Sequence, residues 1–207
     1  MFRAVEGAED DPALAAQDLR NRNLSPGDVV VGLAASGRTP YVLGGLRYSV
    51  GVGCPTIAVV CVSEAEIAKY SKITIAVPVG PEVIAGSTRM KAGTAQKMTL
   101  NMLSTAAMVK LGKTYGNLMV DVKASNAKLA ARVQRMVRDA TGAGDQEAAQ
   151  ALTAAGGSTK AAIVMLLAGV SAITAANCLE AAHGSVRQAL VFAEERKSNE
   201  VKRKNHG

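Results

Sequence analysis

The chain has 207 residues, of which 48% are hydrophobic and 20% are charged, and its formal net charge is +7. That apolar fraction is enough for a packed core, which excludes disorder for most of the chain. The basic residues are spread along the sequence, and only 3% of residues are aromatic. Because nucleic acids are usually bound through clustered cations and stacking side chains, the composition argues against a nucleic-acid partner.

The cysteines and the chain's start bear on its compartment. Cys54, Cys61 and Cys178 lack Cys-x-x-Cys spacing, and only two histidines could join them. We therefore expect reduced, mostly buried thiols, no metal site and a cytoplasmic protein. The first residues lack the apolar region of a signal peptide, so secretion is not expected.

One uncharged segment approaches the length of a membrane span. It lies between Lys160 and Glu180. Gly169-Val170-Ser171 interrupts it and predicts a turn between two packed helices. We therefore expect no membrane partner.

Short β-branched runs alternate with helical patterns in the first part of the chain. This alternation predicts an α/β fold with a parallel sheet and right-handed crossovers. The predicted strands are Val29 to Leu33, Thr56 to Val62 and Ile73 to Val77, and the predicted helices are Thr39 to Val50, Glu64 to Tyr70 and Met90 to Lys110. In the third helix, apolar residues at helical spacing predict a core-facing side: Met98, Met102, Leu103, Ala106 and Val109.

The rest of the chain has a different pattern. After an extended stretch from Tyr115 to Val122, helical periodicity continues from Asn126 to about Leu190. Glycine-containing breaks occur near 141–144, 156–157 and 183–184, and Asp145 and Ser158 are predicted N-caps. These features predict a small helical bundle.

Two hydroxyl-bearing turns precede predicted helices. Helix N-termini have unpaired amide groups and attract anions, and hydroxyls and cations add donors there. Parallel strands end at one edge of a sheet, so both turns are expected at one crevice. The alternative is a tight strand-to-helix turn in the first case and an N-cap followed by solvated cations in the second. The candidate phosphate-binding residues are Ser36, Gly37, Arg38, Thr39, Ser87, Thr88, Arg89 and Lys91.

Four segments in order resemble the N-acetylmuramic acid 6-phosphate etherases, relatives of the glucokinase regulatory protein in the sugar isomerase domain (SIS) superfamily. The segments are Ala4 to Asp10, Val31 to Val42, Gly80 to Lys97 and Tyr115 to Val122. The resemblance implies a parallel-sheet SIS domain over residues 1–122, incomplete at its N-terminus, and a helical subdomain over 123–190. Residues 191–207 are expected to form a charged, frayed tail.

The resemblance also implies an activity. Family members cleave the D-lactyl ether of N-acetylmuramic acid 6-phosphate by elimination and hydration, giving N-acetylglucosamine 6-phosphate and D-lactate in cell-wall sugar recycling. It implies no metal or cofactor, a small-molecule sugar phosphate as partner, and a homodimer. The alternative is a non-catalytic sugar-phosphate-binding fragment or regulatory module.

Carried over by position, one family glutamate matches Glu9, which the resemblance makes a catalytic acid/base and proton abstractor. Without the resemblance, Glu9 and its acidic neighbours would form a solvated turn. The family's second glutamate, in a Ser-Glu-Cys segment, and its Gly-Thr-Ser-Gly phosphate loop have no counterpart in this chain. We therefore expect a truncated product or a mis-assigned start, and a chain that is inactive or poorly soluble alone.

Two further side chains have structural interpretations. Glu82 is expected to orient Arg89 or Lys91 as an ion pair, with an approach to substrate as the alternative. His183 is expected to hydrogen-bond the last carbonyls of the preceding helix rather than to act in catalysis.

Overall fold

A computed structural model describes residues 6–122 and 126–204, apart from the side chains of Ala127 and of residues 200–204. The chain divides into two compact units, Met1–Leu103 and Ser104–Gly207. The division falls earlier than the predicted boundary at residue 122. The predictions for residues 1–5, including the signal-peptide argument and the start of the first family segment, and for residues 205–207 of the tail lie outside the described residues.

The first unit contains a parallel sheet, as predicted. Its strands are β1 (Val30–Ala34), β2 (Thr56–Val60) and β3 (Ile73–Ala76), in the order β1-β2-β3, and both pairs are parallel. The other elements are a 3₁₀ turn (Ala8–Asp10), α1 (Pro12–Asn21), α2 (Pro40–Val52), a second 3₁₀ turn (Glu66–Tyr70) and the start of α3 (Lys91–Lys110).

The core of this unit lies between the sheet, α2 and the second 3₁₀ turn. Its buried members are Ala34, Leu46, Ala58, Val60 and Ile67. Three of these come from β1 and β2, whereas β3 is mostly exposed, with Ile73 at 54%. The core is therefore built on β1 and β2, and β3 is an exposed edge.

The prediction that α3 faces a core is wrong for the described chain. Met98, Met102 and Val109 are 54%, 61% and 51% exposed, and only Ala92 and Thr99 of the helix are buried. No other described helix or strand packs extensively along α3. The helical spacing of apolar residues is present, but the surface that would cover it is not supplied by the described residues.

Besides the end of α3, the described part of the second unit contains a short hairpin and five helices. The hairpin pairs β4 (Thr114–Tyr115) with β5 (Leu118–Met119). The helices are α4 (Ala127–Thr141), α5 (Asp145–Ala154), α6 (Thr159–Ala168), α7 (Ala172–Ala181) and α8 (Val186–Lys204), and the first four end at or next to the predicted breaks. Helix α6 is central, since Ala162, Ile163 and Val164 are fully buried in the cluster formed with α4, α5, α7 and α8.

The predicted helix ends have mixed outcomes. Ser158 is an N-cap, because its Oγ accepts from the Ala161 amide at 3.3 Å. Asp145 is not a cap: Gly144 occupies that position, and the Asp145 carboxylate pairs with Arg138 at 2.7 Å. His183 also differs from its prediction. Its backbone amide, and not its imidazole, donates to the Glu180 carbonyl at 3.0 Å. The residue has φ 49°, and its side chain is exposed.

Helix α8 continues beyond the predicted boundary near Leu190, to Lys204. Ala193 is fully buried, and Phe192 packs against the core cluster of the unit. The first residues assigned to a frayed tail therefore belong to the bundle, because the apolar side of α8 extends past Leu190.

The hairpin is linked to α6 by charge. The Asp121 carboxylate pairs with Lys113 and lies 3.7 Å from Lys160 Nζ, which also donates to the Gly184 carbonyl at 3.1 Å. The hydrogen bond from Lys113 and the charge of Lys160 lower the pKa of Asp121, although partial burial opposes them. Asp121 is therefore a charged structural link within this unit.

Within the described ranges, no single helix is long and apolar enough to cross a membrane. Helices α5 and α6 together have the length and composition of a membrane span, but the chain bends by 115° at the break between them. The turn predicted at Gly169-Val170-Ser171 is confirmed, since Gly169 ends α6 with φ 58° and Ser171 caps α7.

Candidate functional site

The carboxyl edge of the sheet gathers the predicted turns of the first unit. Ser36 follows β1, Cys61 follows β2, and the loop of residues 77–90 follows β3. The Cys61 amide donates to the Ala35 carbonyl at 3.0 Å, and its buried Sγ lies 3.7 Å from the Ala92 carbonyl in the first turn of α3. Cys61 therefore connects the Ser36 turn to the start of α3.

This role of Cys61 was missed from the sequence, which indicated only a buried thiol. Burial, and then the nearby charge of Glu82, raise the pKa of the Cys61 thiol. The thiol is thus kept protonated, as a donor to Ala92 requires. The contact joins residues 31 positions apart, so no local pattern could indicate it.

Gly37 shapes the Ser36 turn. It is buried with φ +67°, and a Cβ added there would lie 2.3 Å from the Cβ of Ala65. Its carbonyl accepts from the Ile67 amide at 3.0 Å. Only glycine combines this backbone conformation with so close an approach, so the turn is fixed against the segment that follows β2.

The N-terminus of α2 is open. Thr39 occupies the N-cap position without a side-chain cap, and Pro40 has no amide hydrogen. Among the residues that the structure describes, no acceptor bonds to the amides of Tyr41 and Val42. Unpaired amides at the positive end of a helix are donors suited to an anion.

Ser36 and Arg38 lie beside this open helix end. Both side chains are exposed, and Ser36 Oγ accepts weakly from the Arg38 amide at 3.4 Å. The Ser36 hydroxyl keeps its own hydrogen for donation. The turn after β1 can thus offer a hydroxyl, a guanidinium and two amides to one anionic group.

The N-terminus of α3 is closed instead. Glu82 accepts from the amides of Lys91 at 3.0 Å and Ala92 at 3.1 Å. The next two amides of the helix bond to backbone carbonyls of the preceding loop at 2.8 and 3.1 Å. The expectation of unpaired amides at the start of α3 is therefore wrong, because they are already paired and a carboxylate occupies the place of an external anion. Phosphate binding by the side chains of this loop stays a prediction.

Glu82 does not form the predicted ion pair. In the described ranges, neither Arg89 nor Lys91 lies within salt-bridge distance of it, and Lys91 Nζ donates instead to the Pro81 carbonyl at 2.8 Å. The two amide hydrogen bonds, more than any cation, lower the pKa of Glu82. The structural interpretation of Glu82 holds, but its partners are backbone groups.

Three candidate residues remain available on the loop after β3. Ser87 is half-buried, Thr88 and Arg89 are exposed, and none of the described residues bonds to these three side chains. The Ser87 amide donates to the Ile84 carbonyl at 3.1 Å, which folds the loop into a turn. The loop therefore offers two hydroxyls and a guanidinium.

The two turns share one edge of the sheet but do not follow adjacent strands. Strand β2 lies between β1 and β3, so the two outer strands are about 10 Å apart. The turn with Ser36 and the loop with Ser87 therefore follow strands on either side of β2 and start from the same edge of the sheet. The crevice that they are predicted to share stays a prediction.

Glu9 lies on the first 3₁₀ turn, which packs against α2. Its side chain is exposed, and among the described residues none bonds to its carboxylate. Asp11 is different, because its carboxylate caps α1 through the amides of Ala13 at 2.8 Å and Leu14 at 3.4 Å. The described hydrogen bonds do not link Glu9 to either hydroxyl-bearing turn.

The metal-ligating residue types do not gather at this edge. In residues 6–122 and 126–204, no three histidine, cysteine, aspartate or glutamate side chains are grouped to hold a metal ion. Cys54, Cys61 and Cys178 are free and buried.

The hydroxyl-bearing turns thus stand at the carboxyl edge of a parallel three-stranded sheet. The family model of the SIS domain matches residues 11–106, which confirms the predicted fold class. The chain is similar to proteins named N-acetylmuramic acid 6-phosphate etherase, as the sequence resemblance indicated.

Two relatives show the extent of the similarity. The N-acetylmuramic acid 6-phosphate etherase of Mycolicibacterium smegmatis is 57% identical over 187 residues, covering 90% of this chain and 63% of the relative. The protein of the same name from Yersinia pestis is 56% identical over 190 residues, covering 92% of this chain and 64% of the relative. The chain thus spans somewhat less than two thirds of the length of these curated relatives.

Proposed function

We propose that the protein containing this chain cleaves the lactyl ether of N-acetylmuramic acid 6-phosphate to N-acetylglucosamine 6-phosphate and lactate. A base removes the proton at C2 of the open-chain sugar, lactate leaves from C3, and water then adds across the double bond. Each step is acid/base chemistry. The observation that carries the proposal is the open N-terminus of α2 beside Ser36, in a chain closely similar to proteins named for this reaction.

The phosphate is proposed to bind at the turn after β1. Ser36, Arg38 and Thr39 supply side-chain donors, the first amides of α2 supply backbone donors, and Gly37 sets the turn. Charge favours this end over α3, because Glu82 already places a carboxylate at the α3 N-terminus.

The loop after β3 is proposed to bind the remainder of the sugar phosphate. Ser87 and Thr88 provide hydroxyls, and Arg89 provides a free cation. Lys91 is a weaker candidate for direct contact, because its ammonium group would have to leave the Pro81 carbonyl.

Glu9 is proposed as a catalytic acid/base. Its carboxylate is exposed and unpaired among the described residues, whereas Asp11 and Glu82 each accept two backbone amides. The amide hydrogen bonds lower the pKa of Glu82, which makes it a poorer base. Of these three carboxylates, Glu9 is the one free to exchange a proton with a substrate.

A homodimer is also part of the proposal. Met98 and Met102 lie one turn apart on α3 and are more than half exposed, and exposed apolar surface of this kind is typical of an interface. We expect light scattering to give twice the 21.3 kDa chain mass, and Met102→Glu to shift the population to monomer. A monomeric unmodified protein would contradict this part. The buried free thiols support a cytoplasmic location.

Binding and turnover of N-acetylmuramic acid 6-phosphate test the proposed function. We expect calorimetry to show binding to the purified chain and Ser36→Ala to weaken it about tenfold or more, because a donor to a charged group is lost. Ser71→Ala is the matched control, since Ser71 precedes β3 at the other edge of the sheet. Lactate release is measured in parallel.

Two outcomes would contradict the proposal. The first is no binding by the unmodified chain at millimolar sugar phosphate, and the second is equal affinity of the Ser36→Ala and Ser71→Ala variants. Binding without lactate release in any length of the protein would identify a sugar-phosphate-binding module instead of an etherase.

A further inference from the structure

We propose that Glu82 is a positioning residue that holds the loop carrying Ser87 and Thr88 in its ligand-binding conformation. The inference rests on the proposed function, because it assumes that this loop contacts the sugar phosphate. It assigns a task to a carboxylate that the sequence resemblance did not place in the reaction.

The loop is closed at its base by two side chains that reach in opposite directions. Glu82, at its start, accepts from the Lys91 and Ala92 amides at its end. Lys91 in turn donates through Nζ to the Pro81 carbonyl at 2.8 Å. These contacts join the two ends of the segment 82–91, and Ser87 and Thr88 lie on the loop between them.

Apolar burial does not hold this loop in place. Val83 is 80% exposed, Ile84 is 71% exposed and Met90 is 64% exposed. A loop without buried side chains must be fixed by hydrogen bonds, and bonds to a charged carboxylate are the stronger kind. The conformation of Ser87 and Thr88 therefore depends on the contacts at the base of the loop.

Glu82 is suited to this task only as a carboxylate. Each of its oxygens accepts from a different amide, one 3.0 Å and the other 3.1 Å away. An amide side chain can accept only through its oxygen, and its NH₂ group would face the second amide hydrogen. Glu82→Gln therefore keeps the size of the side chain and removes half of the clamp.

Asp28→Asn is the matched control. Asp28 is also a carboxylate in an exposed loop of the same unit that accepts two hydrogen bonds, from Ser25 N and Oγ, both at 2.9 Å. It precedes β1 and thus lies at the opposite edge of the sheet. Both substitutions remove one negative charge. Asparagine can keep both contacts of Asp28, because they end on a single oxygen, whereas Glu82→Gln also removes one amide contact at the proposed site.

The test compares the dissociation constant for N-acetylmuramic acid 6-phosphate in the unmodified chain and both variants, at a temperature where all are folded. We expect Glu82→Gln to weaken binding about tenfold and Asp28→Asn to change it less than twofold. In ¹H–¹⁵N spectra of the free chain, the Lys91 and Ala92 amide signals should move as pH falls, with a midpoint below the ordinary glutamate pKa. Glu82→Gln should abolish that titration.

The outcomes separate the two proposals. If the unmodified chain binds the sugar phosphate and Glu82→Gln binds equally well, the inference is overturned while the proposed function stands. Equal losses of affinity in both variants would show that Glu82 acts only through its charge or through general stability. That result would also overturn the inference. If the unmodified chain does not bind, the proposed function fails and the inference fails with it.

Discussion

Gly37→Ala is expected to lower the free energy of unfolding of the first unit by about 3 kcal/mol and to abolish sugar-phosphate binding. The residue has φ +67°, which costs an alanine about 1 kcal/mol or more. The added methyl group would lie 2.3 Å from the Ala65 Cβ, and relieving such overpacking costs about 1–3 kcal/mol. The turn that carries Ser36 and the segment after β2 must then move apart. This movement displaces the Ser36 hydroxyl from its proposed binding position.

Gly53→Ala separates the two contributions. Gly53 ends α2 with φ +88°, but no atom lies within 4 Å of an added Cβ. The Gly53→Ala variant should therefore lose about 1 kcal/mol of unfolding free energy and keep its affinity for the sugar phosphate. Denaturant unfolding followed by circular dichroism, with calorimetric binding, measures both variants. Indistinguishable behaviour of the two would contradict the assigned role of the Ala65 contact.

Glu9→Gln is expected to lower turnover about 10²–10⁴-fold, while binding of the sugar phosphate changes little. The backbone around Glu9 is fixed by the Asp10 amide to the Gly7 carbonyl, 3.1 Å, and by the cap that Asp11 provides to α1. The carboxylate itself is free. Glutamine keeps its shape but cannot accept a proton, so the loss should appear in kcat and not in KM.

Asp10→Asn is the control for Glu9. Asp10 is the adjacent exposed carboxylate of the same 3₁₀ turn, so the two substitutions change the charge of the segment equally. The measurement is lactate release, in whichever length of the protein shows turnover. Equal kcat values for the two variants would remove Glu9 from the mechanism.

The sequence predicted free amides at the starts of both α2 and α3, and the structure has them only at α2. Around Ser36, the signals are local: a β-branched strand, a glycine and a proline-started helix. Around Ser87, the same kind of pattern suggested free helix amides, but Glu82 takes two of them from nine or ten residues away. Helix capping from such a distance depends on how the loop folds back, which residue spacing does not contain.

The same distinction explains α3. Its helical period is a property of the sequence, and the helix Lys91–Lys110 forms where it was predicted. Burial is not such a property, since it requires another surface. Met98 and Met102 remain exposed because the described chain provides no element to cover them.

By itself, the sequence determined the parallel three-stranded sheet and most of the helices, because strand period, helix period and turn residues act over a few neighbouring positions. Helix α1 was not predicted, and the helix predicted over Glu64 to Tyr70 is a 3₁₀ turn. Tertiary structure alone decided which helix end is open to an anion. The Cys61 contact with Ala92 and the Glu82 contacts with α3 join segments distant in sequence. Only the folded chain can bring such donors and acceptors within hydrogen-bonding distance.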